Sequence, residues 1–165
     1  MSGGDLASRL RGPEEAALLA RALDAGGLEL VARGISMRPL LRSGDRVHLA
    51  VREPRLGAVA LVALDDRIVL HRLVRRRTTR WLVRGDARTT RWLVRGDART
   101  RADGWIDAER ILALATGFRR AAEADDGGEW HRLDRPADRW RGLAFATALR
   151  SARRLAQRLR GAATP

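Results

Sequence analysis

A mainly β domain with a helix at each end is what this sequence predicts, and three observations carry the expectation. Between Leu28 and Ala115 the apolar residues recur in short runs, several with a period of two, while Gly, Pro and Asp break those runs every few residues. The stretches before and after carry helical periodicity instead. With 165 residues there is room for one domain plus tails. A chain of this size hides roughly two-thirds of its unfolded surface without metal or disulfide staples.

The first helix is predicted by Pro13 at an N1-like position, Glu14 and Glu15 in the positive first turn, and Ala16, Leu19, Ala20 and Leu23 on one face; Gly26 and Gly27 stop it. Leu28, Leu30 and Ala32 then alternate with Glu29, Val31 and Arg33. This is a half-buried strand that runs into Gly34-Ile35-Ser36-Met37 and ends at Pro39. Ser43-Gly44-Asp45 is a turn signal, and Val47, Leu49 and Val51 alternate with polar neighbours that include His48. The run from Gly57 to Leu64 reads as a strand buried on both faces. Asp65-Asp66 turns the chain into a strand from Ile68 to Val74, and Ile106 to Ala115 reads as a final strand or short helix. The expected division is an N-terminal helical segment over 1–27, a β domain over 28–118, a linker over 119–138 with Gly127-Gly128 at its break, and a basic amphipathic helical tail over 139–165.

The string TTRWLVRGDAR at Thr78 to Arg88 recurs letter for letter at Thr89 to Arg99. Two copies are too few for a repeat architecture, so a duplication inside one hairpin is the simpler reading. Eleven is odd, and sliding one copy onto the other's place would reverse the face of every side chain. Both copies therefore cannot play the same part.

Composition shortens the search for chemistry. There is no cysteine, no tyrosine and no lysine, since all 33 basic residues are arginine. Thiolate catalysis, cysteine-ligated zinc and lysine bases are excluded. His48, His71 and His131 remain as the groups that titrate near neutrality. No histidine spacing matches a metal site and no Gly-rich loop matches a phosphate cradle, so no cofactor is expected. The net charge of +13 is concentrated in two runs, with eleven arginines from Arg72 to Arg101 and seven from Arg139 onward. In the tail, Phe145, Leu149, Ala152, Ala156 and Leu159 form one helical stripe with arginines elsewhere. That pattern fits a helix packed on its own domain, one that meets an anionic membrane surface, and one that meets nucleic acid. No stretch reaches the roughly 20 apolar residues of a membrane span and the N-terminus lacks a signal-peptide pattern, so the expected compartment is the cytoplasm, with peripheral membrane contact left open.

Of five serines, Ser36 alone sits where a strand ends against glycine and a nearby proline. A serine hydroxyl is a weak nucleophile until a base takes its proton. His131 lies in a polar stretch and His48 is out of phase with Val47 and Leu49. His71 shares a strand face with Val69 and Leu73, so its ring should point inward, where it needs a polar partner.

Four pieces of sequence resemble the signal peptidase I and LexA-like serine peptidases: GISMRPLLRSGD from Gly34 to Asp45, GAVALVAL from Gly57 to Leu64, VLHRLV from Val69 to Val74, and RGDA. Together they cover roughly Leu28 to Ala115. Most bacterial members use a lysine base, whereas the endoplasmic-reticulum and SipW-like branch carries histidine in a box that His71-Arg72-Leu73 matches. The resemblance implies a signal-peptidase/LexA-like β fold and a serine endopeptidase acting on a peptide or protein. In it Ser36 is nucleophile and, through its own amide, an oxyanion donor, His71 is the base, and a Gly-Asp aspartate orients the imidazole. Gly34 stands where some relatives carry a hydroxyl as second oxyanion donor, and Leu40 where threonine is usual.

The duplication leaves the aspartate open between Asp86 and Asp97. If Val83-Arg84-Gly85 closes a tight loop, the hairpin grows longer and Asp97 takes the role. With a turn at Arg77 to Thr79 instead, Asp86 does. Two other functions stay in view: a peptide-binding relative that has lost catalysis, and a nucleic-acid binder using the Arg72 to Arg101 ridge with Trp81 and Trp92 stacking on bases. Nucleic acid is the less favoured partner, because each tryptophan also reads as a strand residue covering the sheet.

Overall fold

A computed structural model describes Leu23 and residues 27–80, 88–123 and 128–162. It is mainly β, as the alternation predicts. Eight strands form one antiparallel sheet: β1 (Leu28–Val31), β2 (Arg46–Ala50), β3 (Val59–Ala63), β4 (Ile68–Arg80), β5 (Arg88–Arg95), β6 (Gly104–Asp107), β7 (Ile111–Arg119) and β8 (His131–Arg132). Their order is β1-β2-β7-β3-β4-β5-β6, with β8 pairing β7. One long helix, α1 (Pro136–Ala162), follows. The first helix expected from the sequence lies outside the described residues apart from Leu23, which is helical and buried in the core.

The apolar run of β3 has a physical reason. Val59 and Leu61 enter one core cluster with Leu30, Met37, Leu41, Val47, Leu49 and Phe118. Ala60 and Val62 point the other way, into a second cluster with Leu73, Trp92, Val94 and Ile106. Strand β7 divides likewise, with Ala113 and Ala115 in the first cluster and Leu114 in the second. Both strands are central, and alternation vanishes where both faces are covered. In β2, which has one apolar face, Val47 and Leu49 are fully buried while Val51, just past its end, is exposed.

Several expectations need correction. The first strand stops at Val31 rather than at Pro39, because the chain turns through Gly34 into a bend that carries Ser36. Ile106 to Ala115 is neither one strand nor a helix. A 3-10 turn at Ala108–Arg110, which buries nothing, separates β6 from β7. The stretch read as linker holds a second 3-10 turn, Ala121–Glu123, then β8 and the first residues of α1.

The helix begins earlier than its periodicity suggested because Pro136 suits a first helical position and Asp138 the positive first turn. Its inward face is rotated from the stripe read in the sequence. Ala146 is buried, and Gly142, Leu143 and Leu149 are half-buried, whereas Phe145 and Ala152 are exposed. Two arginines of the sheet explain the rotation. A Cβ at Gly142 would lie 2.5 Å from Arg72 Nη1, and Arg95 Nη2 reaches the Ala146 carbonyl at 3.5 Å. Small residues face the sheet so that guanidinium groups fit beneath the helix.

Candidate active site

The bend after β1 is fixed at both ends. Ala32 N–H donates to the Asp45 carbonyl at 2.7 Å and Gly44 N–H to the Ala32 carbonyl at 2.9 Å. The Asp45 carboxylate, 1% exposed, accepts from Arg42 N–H at 2.8 Å and from Arg120 Nη1 at 2.7 Å. The Gly-Asp read as a plain turn signal thus clamps the loop to the end of β7. Met37 and Leu41 sink into the first core cluster. Ser36 lies between them and exposed Ile35, held at a half-buried position.

His71 sits on β4 opposite Ala60 of β3, and paired residues share a sheet face, so its ring turns toward the second cluster, as Val69 and Leu73 implied. It is 1% exposed. Such a ring needs a partner, and Nδ1 lies 2.7 Å from Asp103 Oδ2. A carboxylate only accepts, so Nδ1 carries the proton and Nε2 of the neutral ring is left as acceptor. Burial holds the imidazole below its ordinary pKa of 6.5; the Asp103 charge and hydrogen bond oppose that shift, and Arg99 and Arg67 add to it.

Gly96, just past β5, brings the two halves together. A Cβ built there would lie 2.9 Å from His71 Nε2, 3.1 Å from Ser36 Cβ and 2.7 Å from the Ser36 carbonyl oxygen. The Ser36 Cβ and the imidazole nitrogen therefore both lie closer to a single point than an ordinary van der Waals contact. No residue but glycine fits between them without displacing something. The next turn holds this approach, since Ala98 N–H donates to the Ser36 carbonyl at 2.7 Å and Arg99 N–H to the Gly96 carbonyl at 2.9 Å.

The hairpin takes the longer of the two forms read in the sequence, yet Asp97 does not orient the imidazole as that form implied. Strand β4 continues to Arg80, with Thr78 opposite Thr90 and Thr79 opposite Thr89, so the hairpin grows longer and does not turn at Arg77 to Thr79. Asp86 and Trp81 lie outside the described residues. Asp97 does not reach the imidazole. Its two oxygens accept from Arg72 Nε at 2.8 Å and Nη2 at 2.7 Å, while Arg72 Nη1 donates to the Gly57 carbonyl at 2.7 Å. A fully buried guanidinium needs a carboxylate in fork geometry, and Asp97 supplies it. Asp103 was missed because Ala102-Asp103-Gly104 reads as an ordinary turn. The signal that marks it is its position just before β6, with Asp103 N–H donating to the Val94 carbonyl at 2.8 Å.

The other expected residues are engaged elsewhere. His48 contacts the Thr116 hydroxyl at 2.7 Å, exposed His131 stacks on Phe118, and Trp92 is buried in the second cluster. Among the described residues no cluster of His, Asp and Glu is arranged to hold a metal ion.

Beside Ser36 lies a cleft of about 270 Å³ lined by Leu30, Val31, Ala32, Met37, Ile68 and Leu70. Its walls are two strand edges. Among the described residues β1 pairs only with β2, and β4 pairs with β5 only from Arg72 onward, so there Ile68, Val69 and Leu70 bond to β3 on one side alone. Free edges of this kind accept an extended chain.

No protein-family model matches this sequence, and no curated protein matches it.

Proposed function

We propose that the chain is a serine endopeptidase of signal-peptidase/LexA-like fold in which Ser36 is the nucleophile, His71 the general base and Asp103 the residue that orients the imidazole. The observation that carries this reading is the convergence of the Ser36 side chain and His71 Nε2 on Gly96, with Nδ1 already bonded to a buried carboxylate. A core histidine with a purely structural duty has no need for its second nitrogen to lie near a serine side chain beside an open cleft.

The chemistry is acyl transfer. A peptide enters the cleft as an added strand between the edges of β1 and β4. The Ser36 hydroxyl attacks its carbonyl carbon while Nε2 takes the hydroxyl proton. The Ser36 amide donates to the developing oxyanion. Asp103 stabilises the imidazolium without being protonated itself. His71 then gives its proton to the departing amine, leaving an ester on Ser36. Water, deprotonated by the same nitrogen, hydrolyses that ester and restores the hydroxyl. The aliphatic part of the lining favours small or aliphatic side chains on the acyl side of the bond, while Arg33 and Arg42 line the same cleft.

The test is hydrolysis of a pooled library of unstructured peptides, read by mass spectrometry. The wild-type chain should cut peptides that Ser36→Ala leaves whole. Cleavage that survives in Ser36→Ala rules the reading out.

A further inference from the structure

Helix α1 keeps one face covered and one bare. Inward, Gly142, Leu143, Ala146 and Leu149 lie against the sheet, and Arg153 donates to the Ala98 carbonyl. Outward, Trp140, Ala144, Phe145, Ala148 and Ala152 are all exposed, and their spacing of four, five, eight and twelve residues from Trp140 sets them on a single stripe. Trp140 is 59% exposed and Phe145 51%. Both aromatic side chains of this helix are thus left more than half exposed, Phe145 at a groove that Leu40 and Arg141 also line. Exposed Arg141 stands among them, and the sequence adds Arg154, Arg158 and Arg160 further along, with no acid after Asp138.

We infer that this face is an interfacial surface that lies on an anionic lipid bilayer, with Trp140 and Phe145 dipping below the headgroups and the arginines bonding to lipid phosphates. The charge distribution selects this occupant. A second copy would bring one arginine-rich helix against another, a like-charge contact that association disfavours. A bilayer bearing negative headgroups satisfies the apolar stripe and the arginines at once, since guanidinium groups reach phosphate while their stems lie along the apolar zone. Each arginine held near such a surface adds to the attraction, and the sum falls with salt. Among the described residues no helix is long and apolar enough to cross a membrane, so the contact is peripheral.

The experiment is sedimentation of the full chain with vesicles of phosphatidylcholine alone or of equal parts phosphatidylcholine and phosphatidylglycerol. Binding should appear with the anionic vesicles, be absent with the neutral ones, and weaken as salt is raised. The double variant Trp140→Ser/Phe145→Ser should bind the anionic vesicles about tenfold less or weaker still, while a serine-directed probe labels it as it labels the wild type. Absence of binding to either vesicle, equal binding to both, or full binding by the double variant overturns the inference. So does preferential retention of single-stranded RNA over anionic vesicles in direct competition. Because labelling at Ser36 is read separately, this surface can fail while the peptidase reading stands, and the reverse.

Discussion

His71 and Asp103 are joined by a 2.7 Å contact between groups that are 1% and 4% exposed, while Asp97, the residue after Gly96, spends both its oxygens on Arg72. The two carboxylates therefore have separable duties. Asp103→Asn keeps the volume but presents an amide that can bond the wrong tautomer. Turnover should fall roughly a thousand- to ten-thousand-fold, the loss known for an orienting aspartate in a Ser-His-Asp enzyme. The residual activity should also keep its rate to lower pH, because a charge that raises the imidazole pKa is gone. Comparison of kcat/KM against pH for the two chains checks both points.

Asp97→Asn should act on folding instead. It leaves the Arg72 guanidinium, 2% exposed, without its counter-charge, and removing one partner of a buried pair costs about 3–5 kcal/mol. Urea unfolding should register that loss, while whatever protein stays folded shows the wild-type pH profile. A shifted acid limb in Asp97→Asn would assign Asp97 to the imidazole after all.

On the proposed function, the wild-type chain should itself hold activity below the pH at which an ordinary imidazole loses it. In the proposed mechanism neutral His71 is the base, and burial lowers its pKa from 6.5, so protonation sets in later as pH falls. The same shift bears on stability. Between the unfolded value and the lowered folded value the unfolded chain binds more protons, so stability present above pH 6.5 declines as pH drops toward the folded pKa. Chemical denaturation across this interval should show a loss that His71→Gln lacks.

Gly142→Ala sets two effects of known size against each other. Alanine in a helix interior is worth about 1 kcal/mol over glycine. The new methyl, however, would sit 2.5 Å from Arg72 Nη1, and loosening the Arg72–Asp97 pair costs several times that gain. The variant should have a lower Tm than wild type, where an exposed helical Gly→Ala would raise it.

Sequence reading carried the sheet further than the site. Strands whose faces differ announce themselves, as Val47 and Leu49 do, and β3 is legible because a doubly buried strand is apolar throughout. Ser36 and His71 could be picked out from their local settings, one in a glycine- and proline-bounded stretch after the first strand and one on an apolar face. What decides the third residue is how far the hairpin extends, and eleven identical residues in tandem contain no information on which copy pairs with what. Only the register, with Thr78 against Thr90, puts Gly96 against both Ser36 and His71 and sends Asp97 to Arg72. Asp103 lies beyond the duplicated string and was screened by it. The helix stripe was misread for another long-range reason, since the guanidinium groups of Arg72 and Arg95 claim the space opposite Gly142 and Ala146.

The most direct measurement is the site and rate of covalent modification by a fluorophosphonate, located by tryptic mass mapping. Wild-type protein should carry one adduct on the peptide containing Ser36, and His71→Ala should slow its formation at least a hundredfold, in line with loss of a general base. An adduct on another serine, or equal labelling rates in the two proteins, would contradict the account.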